Sequence, residues 1–284
     1  MQNIIEKPSL EFRRIHWQNF TIVTSFHALA VVAFFYFSWQ NLLTLLVLNW
    51  LVASLGIGIG YHRLLTHRSF KAPKWLEYSL TVLGSLAIQD GALKWVTTHR
   101  IHHAHTETEQ DPHSTRESFY WAHLGWIVRG RAQEHDKAIL ARYVPDLLKD
   151  PFHARFAPYY YVSTIILGVL LFALGGWGMV FWGIFLRTVV GWHSTWIVNS
   201  VTHFWGTRRF ATHDDSTNNG LVAFFSFGEG WHNNHHAQPT SARHGLAWYE
   251  FDSNWLTIRL FEKLGWAKQV RVYKPGSEKL TAGN

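Results

Sequence analysis

The segment Lys94-Trp-Val-Thr-Thr-His-Arg-Ile-His-His-Ala-His105 contains histidines at positions 99, 102 and 103, spaced i, i+3 and i+4. In a helix this spacing places the three imidazoles on one face, one turn apart. The same spacing recurs in His232-Asn-Asn-His-His236, and a further pair lies in His62-Arg-Leu-Leu-Thr-His67. The chain therefore has eight histidines in three groups, each beside an apolar segment.

These groups predict a metal centre with nitrogen ligands. The chain has 19 histidines and no cysteine, which excludes iron–sulfur and thiolate-haem chemistry within it. Neutral imidazole binds iron, zinc, copper or nickel, and eight ligands are more than one metal needs. We therefore predict two metals. A histidine-rich helix face without metal is the competing interpretation, but it does not account for the repeated spacing.

Four long apolar stretches predict membrane-spanning helices. Residues 20–39 and 41–61 contain no charged side chain, and about twenty residues in a helix cross roughly 30 Å of hydrocarbon. Residues 159–174 and 177–201 form a second pair, joined by Gly175-Gly176. We expect two helical hairpins. Two buried hairpins of a soluble protein would instead show a polar stripe along each helix, which these stretches lack.

Basic residues predict the orientation. No Lys or Arg lies between Arg14 and Arg63, or between Arg155 and Arg187, so both hairpin turns are expected on the outer side. The N-terminus and residues 62–158 and 202–284 carry nearly all of the 26 Lys and Arg. We predict an all-α integral membrane protein, with four transmembrane helices in two hairpins and a cytosolic helical cap. Both termini and all three histidine groups then face the cytoplasm, and the polar N-terminus is not a signal peptide.

The formal charge of +7 could suggest a nucleic-acid partner. The sequence shows no nucleic-acid-binding module and no surface that interleaves basic and aromatic residues. Basic residues beside anionic lipid headgroups explain the charge more simply. The broken apolar stretch at residues 75–92 is expected to be an amphipathic helix at the membrane interface, leading into the central histidine group.

A ninth ligand is predicted at the end of the fourth apolar stretch. Asn199 and His203 are spaced i, i+4, so their side chains point the same way at the cytoplasmic exit. His27 and His193 also lie within apolar stretches, but each is isolated in the sequence. We interpret these two as hydrogen-bonded helix histidines and not as ligands.

Three carboxylates follow the central histidine group, at Glu107, Glu109 and Asp111. Carboxylates of this kind orient ligand imidazoles from behind. A solvated loop is an equal alternative for the two glutamates, whereas Asp111 favours the orienting role. Several histidines outside the three groups are expected to tolerate substitution, namely His105, His113, His193 and His244.

Together with Asn199-Ser-Val-Thr-His203 and Glu229-Gly-Trp-His232, the three groups resemble the membrane-bound acyl desaturases, specifically the Δ9 (stearoyl) type. The resemblance extends from about Leu48 to Gly265. It implies a cytosolic cap that holds two irons on nine histidines, with Asn199 holding a water on one iron. The implied ligands are His62, His67, His99, His102, His103, His203, His232, His235 and His236.

The resemblance also implies an acyl tunnel. Gln89, Trp95 and Thr195 match the residues that line its bend, and Trp50 and Ser54 match positions near its closed end. The bend would determine which two carbons lie beside the irons, and a bulky indole at the closed end would limit chain length. The resemblance therefore implies O₂-dependent Δ9 desaturation of saturated C16–C18 chains.

Two positions differ from the animal acyl-CoA members of that family. Thr97 occupies a position that is basic in those enzymes, and Asp90 occupies one that is Asn. Neither residue supplies affinity for an anionic headgroup. The sequence therefore leaves open a membrane glycerolipid or an acyl thioester as the carrier of the chain.

From the residues alone, several functions remain open. Two irons can activate O₂ for attack on an unactivated CH₂ group, and the reaction could be desaturation, hydroxylation or alkane oxidation. The alternative that is not an enzyme is a membrane metal carrier or a haem-binding electron-transfer protein. The resemblance selects desaturation.

A separate electron donor is required, and the basic cap predicts docking of an acidic ferredoxin or cytochrome b5-like protein. The candidate docking residues are Arg129, Arg131, Lys137, Arg208 and Arg209.

Overall fold

The computed structural model describes residues 14–130 and 134–274. Arg131, one of the predicted docking residues, lies outside these ranges, as do the two chain termini whose cytoplasmic location was predicted. The described part is helical, and within it β-pairing is limited to isolated bridges such as Lys71 with Lys268.

The first hairpin consists of α1 (Trp17–Ala33) and α2 (Trp39–Thr66). Helix α1 ends in the 3₁₀ turn Phe34–Tyr36, and the second half of α2, Trp50–Thr66, has π-type hydrogen bonding. The Ser38 hydroxyl accepts a hydrogen bond from the Asn41 N–H and so caps α2. The turn therefore lies at residues 37–38, before the boundary at residues 39–41 that the apolar stretches 20–39 and 41–61 predict, because the Ser38 side chain can cap the helix.

Helix α3 (Lys74–Ser85) packs along the second half of α2. The two backbones approach closely, because a Cβ on Gly56 would lie 2.5 Å from the Gly84 nitrogen. Helix α3 ends at Ser85, so the predicted interfacial helix over residues 75–92 is too long. Residues 86–91 form a loop in which Ile88 and Asp90 have positive φ angles of 55° and 69°, a conformation that cannot continue a right-handed helix.

The segment between the hairpins forms short helices. They are α4 (Ala92–His105), α5 (residues 121–128), α6 (Lys137–Tyr143), α7 (Pro145–Leu148) and α8 (Pro151–Phe156). Helix α4 packs against the end of α2, so the first two histidine groups of the sequence become neighbours.

The second hairpin is a helical stretch interrupted at two glycines. Gly175 and Gly176 have non-helical backbone angles, and Gly176 has a φ of 64°, which glycine adopts without steric cost. After the 3₁₀ turn Ala157–Tyr159, these glycines divide α9 (residues 160–174) from α10 (residues 177–203). By length and hydropathy, three helical stretches of the described chain could cross a membrane, namely Trp17–Tyr36, Trp39–Thr66 and Pro151–His203.

The chain after α10 contains α11 (Gly220–Phe225), α12 (His232–Ala237) and α13 (Ser253–Lys263). A core of buried apolar side chains, including Tyr61, Leu80, Val96 and Ile258, joins α2, α3, α4 and α13. This packing brings the end of α2, the face of α4, the end of α10 and the whole of α12 to one place.

Candidate metal centre

The nine predicted ligands lie together in two groups. In each group, one side-chain nitrogen of every member lies within 4.8 Å of the others. The five-histidine group consists of His62, His67, His99, His103 and His235, and the four-histidine group consists of His102, His203, His232 and His236. We call both groups together the nine-histidine centre.

Imidazole Nε2 atoms face one another within each group. The Nε2 atoms of His62 and His235 are 3.1 Å apart, and those of His203 and His232 are also 3.1 Å apart. Two nitrogens that bind one metal at about 2.1 Å and at right angles would be about 3.0 Å apart. The spacing therefore fits ligands of a common cation.

Carboxylates lie behind four of these imidazoles, and those behind His62, His102 and His236 are hydrogen-bonded to Nδ1. An imidazole whose Nδ1–H faces a carboxylate presents its Nε2 lone pair on the opposite side. The Nδ1–carboxylate pairs are His62–Glu229 at 2.7 Å, His102–Asp111 at 2.9 Å, His203–Glu107 at 2.9 Å and His236–Asp214 at 2.9 Å.

The converging nitrogens fit a cation. His102 and His236 both have a carboxylate at Nδ1, and their Nε2 atoms lie 3.4 Å apart. A neutral ring with its proton on Nδ1 presents a lone pair at Nε2. In addition, the Nε2 atom of His67 is buried without a hydrogen-bond partner, which is rare for a buried polar atom. A metal ion in each group would satisfy these nitrogens, so the residues present fit a two-metal centre.

Electrostatics keeps most of these imidazoles neutral. Burial, reinforced by neighbouring imidazoles, lowers the pKa of His99, His103 and His235 well below the usual value. Burial also lowers the pKa of His102, but the adjacent Asp111 carboxylate outweighs it and raises that pKa. Burial opposes ionisation of Glu107, yet its contact with His203 lowers the Glu107 pKa to about 2. Neutral imidazoles beside ionised carboxylates are the state that binds metal.

The structure distinguishes the three carboxylates predicted after α4. Glu107 and Asp111 are buried and face ligand imidazoles, whereas Glu109 is exposed. The Ser114 and Thr115 hydroxyls donate to Glu107, each at 2.7 Å. The orienting role therefore fits Glu107 and Asp111, and the solvated-loop alternative fits Glu109.

Two further carboxylates support the centre, and the sequence analysis assigned no role to either. Asp214 faces His236 from the loop after α10, where no spacing or motif marked it. Glu229 belongs to the Glu-Gly-Trp-His motif, and it also pairs with the buried guanidinium of Arg63, with Nη2 to Oε1 at 2.9 Å. Asn254 donates to the same Oε1 at 2.7 Å. Glu229 therefore links α2, α12 and α13 behind the metal ligands.

Two buried histidines outside the predicted ligand set pack against it. The ring of His113 lies 4.2 Å from that of His102, and the ring of His244 lies 4.4 Å from that of His235. Neither belongs to the two groups of the nine-histidine centre, so their predicted tolerance to substitution stays a prediction.

His27 and His193 are hydrogen-bonded helix histidines, as predicted, and although they are isolated in the sequence they are neighbours in the fold. Their Nε2 atoms lie 3.1 Å apart, and the Nδ1 atom of His193 lies 3.1 Å from the Nε2 atom of His123. The Nδ1 atom of His123 lies 3.0 Å from the Ser200 hydroxyl oxygen. We call His27, His193 and His123 the histidine row. The sequence could not show it, because folding alone brings α1, α5 and α10 together.

A cavity of about 300 Å³ reaches the nine-histidine centre. His99 lines it, and so do the predicted bend residues Gln89, Trp95 and Thr195, with Asn199 beside them. The Trp95 indole N–H donates to the Gln89 amide oxygen, and the Gln89 amide N–H donates to the Thr195 hydroxyl, each at 3.1 Å. The three predicted bend residues are therefore one hydrogen-bonded unit.

The predicted closed-end residues lie elsewhere. Neither Trp50 nor Ser54 lines this cavity. Trp50 is 42% exposed on the outer face of α2, and Ser54 is fully buried, with its hydroxyl donating to the Asn254 side-chain oxygen at 2.6 Å. Their role as the tunnel stop stays a prediction.

Comparison with known proteins then decides the family. Residues 37–267 match the family model described as fatty acid desaturase. The chain belongs to the fatty acid desaturase family. It is 46% identical to an sn-2 palmitoyl-lipid 9-desaturase of Nostoc sp. (strain 36), covering 90% of each chain. It is also 46% identical to an sn-1 stearoyl-lipid 9-desaturase of Anabaena variabilis, covering 91% of this chain and 95% of that one.

A third relative, an sn-1 stearoyl-lipid 9-desaturase of Synechocystis sp., is 43% identical over 90% of this chain and 80% of its own length. The expectation of an oxidoreductase that desaturates acyl chains is thereby confirmed. The hydroxylase, alkane oxygenase and electron-transfer alternatives are not favoured by these comparisons.

Proposed function

We propose that this desaturase introduces a cis Δ9 double bond into saturated C16–C18 chains of membrane glycerolipids, with O₂ as oxidant and two irons as cofactor. The observation that carries this proposal is the meeting of the cavity and the nine-histidine centre, because His99 belongs to both. The three relatives described above are named for palmitoyl-lipid or stearoyl-lipid chains and for position 9.

Each part of the site has a distinct task in this proposal. The nine histidines would hold the two irons, and the carboxylates behind them orient the imidazoles. Bound iron would supply the activation of O₂ and the removal of hydrogen from an unactivated CH₂ group. The unit Gln89–Trp95–Thr195 orients the chain at the bend, and Asn199, which lines the same cavity, holds a water.

The hairpin geometry supports a proposal of four membrane crossings. The 53-residue stretch Pro151–His203 is divided by the glycine turn, and α1, α2, α9 and α10 then each cross once. Large apolar side chains face outward on these helices, such as Val31, Val169 and Leu174, which are 60%, 65% and 73% exposed. In this arrangement the nine-histidine centre lies on the cytoplasmic side.

The cavity entrance supports a lipid carrier. Lys94 lines the cavity, but its ammonium pairs with Asp90 at 3.4 Å, so its charge is already matched and a coenzyme A phosphate would compete with a carboxylate. Thr97 is fully buried and its hydroxyl donates to the Leu93 carbonyl, so it cannot contact a headgroup. Neither position offers an anion site.

The direct test is expression in a host that lacks its own desaturase, followed by fatty-acid analysis of each lipid class. We expect Δ9 monoenes of 16 and 18 carbons in the glycerolipids. A hydroxylated product, or monoenes confined to the thioester pool, would contradict the proposed reaction or the proposed carrier, respectively.

A separate electron donor would dock on the cap. The four predicted basic residues that the structure describes are all exposed, and Arg209 is also paired with Glu250 at 2.7 Å. These residues are Arg129, Lys137, Arg208 and Arg209. We expect turnover with an acidic donor to fall as salt rises, because screening weakens steering between opposite charges. The measurement is the turnover rate from low to high salt, with autoxidation of the donor as the control. A flat response would contradict electrostatic docking.

The chain-length stop can be tested at Trp50. If the indole closes the tunnel, Trp50→Ala extends acceptance beyond 18 carbons and leaves the double bond at Δ9. The chain-length profile is measured by feeding saturated acids of graded length. Trp50 is 42% exposed and lies outside the cavity, so an unchanged profile would remove it as the stop, and an extended profile would support it.

A further inference from the structure

The loop at residues 86–91 carries Gln89 into the acyl cavity. Two of its non-glycine residues, Ile88 and Asp90, have φ angles of 55° and 69°. Such residues cost about 1 kcal/mol or more and persist only when the surrounding structure holds them. The side chains that hold this loop therefore also determine where Gln89 lies.

Helix α10 supplies the donors that hold the loop. The Arg187 guanidinium donates through Nη1 to the Leu86 carbonyl at 2.9 Å. The Trp192 indole N–H donates to the Ala87 carbonyl at 3.0 Å and to the Ile88 carbonyl at 3.2 Å. Three successive carbonyls of the loop are therefore bound by two side chains of one helix.

The same helix binds the next side chain of the loop. The Gln89 amide N–H donates to the Thr195 hydroxyl, which lies less than one turn beyond Trp192 on α10. The carbonyls of residues 86–88 and the side-chain amide of Gln89 are thus all hydrogen-bonded to side chains of α10.

The burial of the two donors supports a purpose beyond packing. Arg187 and Trp192 are 1% and 3% exposed. Within residues 14–130 and 134–274, Arg187 forms no ion pair, and its other guanidinium bond is from Nε to the Gly183 carbonyl of its own helix at 3.1 Å. A buried charge within a membrane hairpin is expensive and is retained where it has a function. Outside its own helix, Arg187 donates to the Leu86 carbonyl of the loop.

We propose that Arg187 and Trp192 are positioning residues for the site of desaturation. They hold residues 86–88, which places Gln89 against Trp95 and Thr195 and so determines which two carbons lie at the centre. A displacement on the order of 1 Å is enough to alter a reacting geometry. This inference rests on the proposed Δ9 function.

The test is Trp192→Phe, which keeps an aromatic ring and removes the indole donor. The variant is expressed as the full chain in a desaturase-deficient host, and the positional isomers of its monoenes are quantified by mass spectrometry. We expect the share of monoenes with the double bond away from Δ9 to rise about fivefold, which corresponds to about 1 kcal/mol. Arg187→Lys, which keeps the charge but shortens the reach to Leu86, should act in the same direction.

Trp182→Phe is the matched control. Trp182 is also a buried tryptophan of α10, 4% exposed, and its indole donates to the Ala33 carbonyl at 2.7 Å, away from the loop. We expect it to lower thermal stability and product yield without changing the isomer distribution.

The outcomes distinguish a failure of the proposed function from a failure of the positioning role. A wild-type enzyme that forms no Δ9 product would overturn the proposed function. A wild-type enzyme that forms Δ9 product, with unchanged isomer distributions in both Trp192→Phe and Arg187→Lys, would overturn the positioning role and leave the function standing.

Discussion

The nine-histidine centre and the histidine row have the same spacing between imidazole nitrogens but different surroundings. In the row, the Nε2 atoms of His27 and His193 lie 3.1 Å apart, the same distance as in the centre. His27 Nδ1 lies 2.7 Å from the Val23 carbonyl of its own helix, and both nitrogens of His193 face other imidazoles. The nitrogens of the row are therefore used in single hydrogen bonds along a line.

In the centre, the nitrogens converge and the rings are held from behind. Four ligand imidazoles have a carboxylate at Nδ1, which leaves the Nε2 lone pairs directed at one another. No carboxylate contacts a row imidazole among the hydrogen bonds and ion pairs of the described residues. Close imidazoles therefore do not indicate a metal site by themselves, whereas converging nitrogens with carboxylates behind them form groups that could hold a metal ion.

The largest expected effect is the loss of a ligand from the centre. His67→Ala removes the buried Nε2 that has no other partner, so we expect iron content to fall by one or two atoms per chain and desaturation to fall more than about 100-fold. Iron analysis of the purified protein and fatty-acid analysis of the host measure the two effects. His105→Ala is the control, because His105 lies at the end of α4 and outside both groups. Full activity in His67→Ala would remove it from the ligand set.

The carboxylates should have an intermediate effect. Asp111→Asn keeps the shape of the side chain but removes the charge that His102 faces at 2.9 Å. Loss of such a partner typically lowers metal affinity or activity by about 10- to 100-fold. Glu109→Gln is the matched control, two residues away on the exposed side of the same loop. Competition with a chelator measures the iron affinity. Equal affinities in the two variants would contradict an orienting role for Asp111 that Glu109 lacks.

The sequence was informative where the signal is local. Charge-free runs predicted both hairpins, and the i, i+3, i+4 spacing predicted which histidines share a helix face, because both properties depend on neighbouring residues alone. The convergence of the groups followed from topology, since two hairpins return the chain to its starting side.

The sequence was silent where a contact joins distant elements. Asp214 reaches His236 from an irregular loop, and nothing in its neighbours marks it. The predicted helix over residues 75–92 did not anticipate the loop at residues 86–91, whose Ala87 and Ile88 carbonyls accept hydrogen bonds from Trp192 in a distant segment. Trp50 was placed by position in a family pattern, which carries no information on which side of α2 its ring faces.

The smallest expected effect comes from the histidine row. His193→Phe removes both imidazole links of the row but leaves every ligand and carboxylate of the nine-histidine centre in place. Two partly buried hydrogen bonds are worth about 1 to 2 kcal/mol together, so in a chain of this size the unfolding temperature should fall by roughly 2 to 8 °C. Iron content and Δ9 product should match the wild type when normalised to folded protein. Loss of iron from His193→Phe would show that the row and the centre are one metal-binding unit, and the distinction by converging lone pairs and supporting carboxylates would then fail.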